Sequence, residues 1–379
     1  MLAVASVLRP SVVTVGPVLP ELQQQLGLSA AAAALLTALP VVCFGLGAFP
    51  GPALSRQLSL DLGLTAALAL LIAGGLVRVL DGPAPLFAGT VAVGVGAALG
   101  NVLLPALVRR DFPARLGPVT GLYTSTLAIF AALAALLAVP LAARSGAGWR
   151  APLATWAILG LVALALWTPH LLLGGLRARA AYAAQVEGPA LGLLRNRTAL
   201  GLTGFMGLQS LNFYTMVAWL PSLLQYHGTS PPISGALLSL ATFIGIPAGL
   251  ILPVLAGGMR QQRALAVTAT ALTAAGWAGL LVAPGAAPLL WTVLLGAGTG
   301  STFPLALVLI GLRSGHPELT PQLSAAVQGA GYLVAATGPL LVGLLHQWSN
   351  GWTLPVLLLL LVGAMQAVSG WAAGRANPI

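Results

Sequence analysis

The sequence predicts an all-α membrane protein with twelve transmembrane helices in two parallel repeats of six. Three observations predict it. Of 379 residues, 58% are hydrophobic and only 6% are charged, against roughly 25% charged in an average soluble protein. Apolar stretches between charges and Pro/Gly clusters recur at about the 20 residues that cross a bilayer. Two stretches of the first half also return in the second half at nearly one offset.

Composition excludes before it identifies. There are 16 basic and 6 acidic residues, every basic one is arginine, and the formal charge is +10. So few charges cannot cover a water-facing surface. Soluble enzymes, DNA-binding proteins and secreted disulfide scaffolds are excluded; the expected surrounding is the lipid bilayer, with no nucleic-acid partner. The single cysteine, Cys43, lies in an apolar run, can form no internal disulfide and reads as inert packing.

The spans run approximately over 2–25, 30–54, 62–80, 85–108, 117–142, 151–169, 198–225, 232–257, 264–283, 288–312, 321–345 and 353–373. The long connection carries Arg177, Arg179, Glu187, Arg195 and Arg197. The expected organisation is therefore an N-terminal six-helix bundle over 1–169, a cytoplasmic linker over 170–197 and a C-terminal six-helix bundle over 198–379. With both termini cytoplasmic, 12 arginines fall inside, while Arg78, Arg144 and Arg150 fall outside. That bias satisfies the positive-inside rule and points to a multi-pass protein of a bacterial inner (cytoplasmic) membrane. The first span starts almost at Met1, and no small-residue site ends it, so nothing there resembles a cleaved signal peptide.

The repeat is explicit. Leu19-Pro20, Leu22, Gln24, Gly27 and Ser29 match Leu220-Pro221, Leu223, Gln225, Gly228 and Ser230 at an offset of 201. Gly96, Ala97, Gly100, Ala106, Leu107 and Val108 match Gly296, Ala297, Gly300, Ala306, Leu307 and Val308 at an offset of 200. Parallel six-helix repeats joined by a long cytoplasmic loop are the plan of major facilitator transporters. Two such bundles can rock about a shared site. Gly96-x-x-x-Gly100 and Gly296-x-x-x-Gly300 read as close-approach positions for helix backbones; with no preceding strand and no following Lys-Ser/Thr, they are no nucleotide loop.

Arg9 is the one arginine the topology leaves over. At about 1.5 Å per residue it stands roughly 12 Å into the first helix, a depth at which a charge is expensive and faces a polar cavity; the plain alternative is an interfacial arginine that snorkels to water. Glu21 is three turns further on, and Asp61, Asp81, Asp111 and Glu318 fall in loops or at helix ends. A buried guanidinium suits a planar oxyanion, to which it donates two parallel hydrogen bonds. In the seventh span Gln209, Asn212 and Phe213 share one helical face, and Ser210 and Tyr214 share the adjacent one. Ser210 matches Arg9 at the repeat offset, so both segments should face the shared cavity; helix–helix hydrogen bonding is the alternative. Thr120, Tyr123 and Thr124 in the fifth span, Gln328 and Tyr332 in the eleventh, and Asn101 in the fourth are further candidates. The histidines fall at loops or helix ends without metal-ligand spacing, so no metal is expected. No Gly-x-Ser-x-Gly or His-Glu-x-x-His occurs, so no enzyme and no cofactor are expected.

Several of these residues resemble one family. Leu8-Arg9-Pro10 with Val15-Gly16-Pro17 is similar to the first-helix signature of the cyanate/2-nitroimidazole porters of the major facilitator superfamily. So are Gly100-Asn101-Val102-Leu103-Leu104-Pro105-Ala106-Leu107-Val108 through Pro113, Gly121-Leu122-Tyr123, Gly207-Leu208-Gln209-Ser210, Phe213-Tyr214, Ala218-Trp219-Leu220-Pro221, and Gln328-Gly329 with Gly331-Tyr332. The resemblance implies a twelve-helix transporter of small, usually anionic or nitro-bearing solutes. The loop after the second helix, Gly51-Pro52-Ala53-Leu54-Ser55-Arg56-Gln57, lacks the superfamily's usual aspartate, which leaves Asp111 among Arg109, Arg110 and Arg115 to supply part of the cytoplasmic gate. The expectation is a monomeric secondary transporter of a small anion (cyanate, nitrate or nitrite) working by rocker-switch alternating access. Arg9 anchors the anion; Asn101, Tyr123, Thr124, Gln209, Asn212, Tyr214, Gln328 and Tyr332 orient it; Glu21, Arg109, Arg110 and Asp111 gate. With no carboxylate in mid-membrane, uniport, anion exchange or a proton travelling with the substrate is expected. Export of neutral or cationic drugs or nitroimidazoles, proton-coupled symport of another organic solute, and a membrane enzyme or receptor are the competing readings.

Overall fold

The computed structural model describes residues 1–28, 30–49, 59–182 and 190–375. The departure at Gly51–Gln57, together with Arg56 and Glu187, lies outside them. Among the described residues there is no strand. The helices are α1 (Leu2–Leu8), α2 (Pro10–Val13), α3 (Val15–Leu26), α4 (Ala30–Gly47), α5 (Leu60–Val77), α6 (Pro83–Asp111), α7 (Leu116–Arg144), α8 (Arg150–Tyr182), α9 (Arg197–Tyr226), α10 (Pro231–Gly258), α11 (Arg263–Val282), α12 (Pro288–Arg313), α13 (Thr320–Ser349) and α14 (Thr353–Ala373). Ten described segments are long and apolar enough to cross a membrane. Phe243, Val282, Leu136 and Leu340 are among the large apolar side chains left exposed, as suits a surface bathed in hydrocarbon.

Punctuation in the sequence sets the helix starts. Pro83, Pro231 and Pro288 take the first helical position of α6, α10 and α12, where a missing N–H is harmless. Asn196 caps α9, its Oδ1 accepting from the Thr198 N–H at 2.8 Å.

The first span is not the continuous helix that an apolar run over 2–25 suggests. It kinks at Arg9 and again at Thr14, both of which keep right-handed helical backbone angles. Pro10 and Pro17 cannot donate to the carbonyls four residues back. Thr14 Oγ1 donates to Pro10 O at 2.7 Å and Ser11 Oγ to Val7 O at 2.8 Å, back-bonds that bend helices. Gly27 closes α3 at φ +64, a left-handed conformation that glycine adopts without strain. At the other end of the first half, α8 runs on to Tyr182, well into the stretch read as linker.

The chain divides into two compact units, Met1–Asp111 with Leu122–Gly188, and Phe112–Gly121 with Pro189–Ile379. Glycine sets the close contacts inside each. In the first unit, a Cβ on Gly74 would meet Gly89 O at 2.7 Å, and one on Gly96 would meet Ala67 O at 2.8 Å, so α5 and α6 touch backbone to backbone. Gly94 receives Cys43, whose Cβ lies 2.6 Å from where its own would be. In the second unit Gly296 and Gly300 of α12 face Ala241 and Gly245 of α10, while a Cβ on Gly207 of α9 would meet Gly331 O of α13 at 3.1 Å. Both small-x-x-x-small pairs read from the sequence are thus helix contacts.

Candidate functional site

In the first unit Arg9 occupies the joint between α1 and α2, half-buried. Its neighbour Leu8 fills the space beside Gly100, where a Cβ would meet Leu8 Cγ at 3.3 Å. Asn101 follows Gly100 and is buried. The kink in the first span and the Gly-Asn pair of α6 therefore lie at one level of the unit. Tyr123 and Thr124 are buried on α7.

In the second unit Gln209, Ser210 and Asn212 are buried on α9, and Gln328 and Tyr332 on α13; the Gly207–Gly331 contact sets the two rows beside each other. Tyr214 is half-buried, edge-on to Phe213 at 5.5 Å. Gln209 Nε2 donates to Met206 O at 3.1 Å and to Ser210 Oγ at 2.6 Å. Gln328 Nε2 donates to Ser324 Oγ at 2.7 Å. Asn212 is bonded on both sides of its amide. Trp277 Nε1 donates to its Oδ1 at 3.1 Å, its Nδ2 donates to Gln366 Oε1 at 3.0 Å, and Gln366 Nε2 donates in turn to Thr270 Oγ1 at 3.1 Å. Asn212 is thus the hub of a buried network that ties α9 to α11 and α14. Sequence reasoning missed Gln366 and Trp277. The available signal was that Gln366 is the lone strongly polar side chain of an otherwise apolar helix.

The four gating candidates fall at two ends of the first unit. Arg110 donates to both oxygens of Asp61, at 2.8 and 2.9 Å, and to Asp111 Oδ1 at 2.7 Å. Asp61 stands in the first turn of α5 and is 1% exposed. His170 Nε2 lies 3.2 Å from Asp61 Oδ1, and its ring packs against Trp167 at 4.6 Å. Asp61 and His170 were read as bystanders at helix ends; they are partners in a network with Arg110 and Asp111. Arg109 Nε meets no acceptor among the described residues. Glu21 works at the opposite end: it accepts from the Trp149 N–H at 3.1 Å and from Gln25 Nε2 at 3.0 Å, fastening the end of α3 to the start of α8. Pro17, Val18 and Glu21 also line a cavity of about 340 Å³ with Val139, Ala142 and Ala143; no other candidate reaches it.

The second unit fastens an arginine at the end of α12 with different chemistry, although Arg110 itself matches Gly311 at the offset of 201. Asp61 becomes Gln262 at the offset of 201. The buried Arg313 at the end of α12 donates to Gln262 Oε1 and, through Nε, to Ala373 O at 3.0 Å. An amide and a helix C-terminal carbonyl stand where the first unit has a carboxylate.

Among the described residues no group of three His, Cys, Asp or Glu could hold a metal ion. What the helices carry is buried amides, phenols and hydroxyls inside an apolar, bilayer-spanning bundle, the material of a solute transporter. The chain belongs to the Major Facilitator Superfamily, whose model matches residues 2–339. It is 35% identical to the 2-nitroimidazole transporter of Escherichia coli (strain K12) over 385 residues, covering 100% of this chain and 95% of that one. The cyanate transport protein CynX of the same organism is 32% identical over 346 residues, 91% of this chain and 88% of that one. The solved structure of the proton:xylose symporter XylE superposes with a TM-score of 0.78 at 15% identity, over 97% of this chain and 93% of that one. The fold is the major facilitator fold with its twelve helices, and the protein is a multi-pass membrane transporter of a small molecule, not an enzyme.

Proposed function

We propose that this transporter moves a small planar anion of the cyanate, nitrate or nitrite class, with Arg9 as its anchor. The observation that carries the reading is Arg9 itself, a half-buried guanidinium at a helix joint inside the apolar segment Leu2–Leu19. Pro10 withholds the usual helical N–H from the carbonyl four residues back, and a guanidinium at that depth matches an oxyanion. The resemblance to a cyanate transport protein supports the same class. Asn101, Tyr123, Thr124, Gln209, Tyr214, Gln328 and Tyr332 orient the solute; Asn212 contributes through its network.

Of the described carboxylates, Asp61, Asp81, Asp111 and Glu318 stand at helix ends or in turns, and Glu21, within α3, is bonded to Trp149 and Gln25. That favours uniport, anion exchange or a proton carried with the substrate over a mid-membrane proton relay. The arginines of the second unit, Arg115, Arg195, Arg197, Arg260, Arg263, Arg313 and Arg375, stand where α7, α9 and α11 begin and α10, α12 and α14 finish. By the positive-inside rule that end is cytoplasmic, with both chain termini on that side of a bacterial inner membrane; the protein works as a monomer.

The test is uptake into liposomes, with nitrate, nitrite, cyanate and a nitroimidazole as competitors. Arg9→Ala should weaken anion transport at least tenfold in apparent affinity while the purified variant keeps its melting temperature. Unchanged affinity for every anion removes the anchor role. The relative that carries 2-nitroimidazole supports a second reading, export of a neutral nitro compound; competition by the nitroimidazole alone would select it.

A further inference from the structure

We propose that Arg78 holds a small monovalent inorganic anion inside the first unit, at the end opposite Asp61 and Arg110 and separate from Arg9. Arg78 follows the apolar helix α5, its own N–H bonded to Gly74 O at 3.0 Å. It is 1% exposed. Its stem passes over Gly89, where any Cβ would lie 2.5 Å from Arg78 Cγ and 2.8 Å from its backbone nitrogen. Gly74 faces Gly89 across the same contact. Gly89 thus clears the passage the arginine occupies, and Gly74 brings the two helices together beside it, so the side chain is built into the packing.

The guanidinium at the end of that stem finds no partner among the described residues: Nε, Nη1 and Nη2 are all buried, and none meets an acceptor there. Carboxylates at this end are engaged elsewhere: Asp81 pairs with Arg150 and is 95% exposed, and Glu21 accepts from Trp149 and Gln25. A second cation stands close, because Arg150 Nε donates to the carbonyl of Val79, the residue after Arg78. Burial pushes the Arg78 guanidinium down to about 10, still charged at neutral pH.

A buried, unpaired charge costs several kcal/mol, and buried cations are found paired. A buried guanidinium with five N–H donors and no acceptor among the described residues is the half of an ion pair that a halide, or an anion of its size and charge, completes. One guanidinium balances one negative charge, so a monovalent anion fits and phosphate or sulfate does not. The solute transported at Arg9 and a bulk halide share this chemistry. The proposal does not depend on the transport reading.

Two measurements test it. The first is thermal unfolding of the purified full chain as chloride or bromide replaces gluconate at constant ionic strength. A saturable rise of a few degrees is expected, retained in Arg9→Gln and lost in Arg78→Gln. The second is anomalous scattering from bromide-soaked crystals of the unaltered chain, which needs no folded variant; a peak beside the Arg78 guanidinium is expected. Bromide displaced by the transported anion would make the site a station for the solute, and retention of halide alone would make it structural; each upholds an anion at Arg78. No bromide peak there, or the same anion response in Arg78→Gln as in the unaltered chain, overturns it.

Discussion

Asp61 shows how a residue that reads as a helix-end charge becomes a structural centre. It is almost fully buried, and the Arg110 guanidinium and the His170 ring converge on its carboxylate. Removing one partner of a buried ion pair leaves the other uncompensated, which costs about 3–5 kcal/mol. Asp111 keeps a share of Arg110, so Asp61→Asn should cost about 3 kcal/mol in unfolding free energy, near the lower end of that range. His170 is 44% exposed, and His170→Gln should change stability by less than about 1 kcal/mol. Equal effects of the two would show that the pairing with Arg110 does not dominate. Little of this was legible in the sequence. Asp61 and Arg110 lie 49 residues apart, and nothing in the residue types says which helix ends adjoin. Only the repeat hints at it, because Asp61 and Gln262 stand at matching places.

The helices were far more legible. Proline, glycine and arginine mark their ends, and the predicted starts at 151, 198, 232, 264, 288, 321 and 353 fall within a residue of the observed ones. Two elements departed for physical reasons. The apolar run over 2–25 conceals kinks, since hydropathy is blind to the hydrogen bonds that Pro10 and Pro17 remove. The end of α8 carries Arg177 and Arg179, and charge reads as loop although arginine is a good helix former. At this scale glycine gives a paired prediction. A Cβ on Gly300 would press into Gly245 of the neighbouring helix, its carbonyl oxygen 2.7 Å away, whereas Gly235 has nothing within 4 Å. Gly300→Ala should therefore destabilise by about 1–3 kcal/mol. Gly235→Ala should stabilise by up to about 1 kcal/mol through helix propensity. Thermal unfolding of both variants checks the sign: destabilisation by both would mean that helix contact is not what separates them.

For the whole molecule, orientation is the property to measure. Cys43 is the sole cysteine and is buried, so a background without it is simple to make. Ser230 and Gln261 are exposed at opposite ends of α10. A membrane-impermeant maleimide should label Ser230→Cys in intact cells and Gln261→Cys only after permeabilisation; the reverse pattern would invert the assigned topology. The candidate site was legible as residue types in the first and second halves, including the α9 amides. Their partners were not, because Gln366 and Trp277 meet Asn212 only once three helices have packed. The same separation of local pattern from packing gives the Asp61/Gln262 difference a wider meaning. In each unit an arginine at the end of one helix is fastened to the start of another, by the carboxylate of Asp61 in the first and by the amide of Gln262 in the second. An amide takes up no proton as a compartment acidifies and carries no charge for salt to screen. Acid should thus slacken the fastening at Asp61 while the one at Gln262 holds, so that the two units answer differently to the same solution.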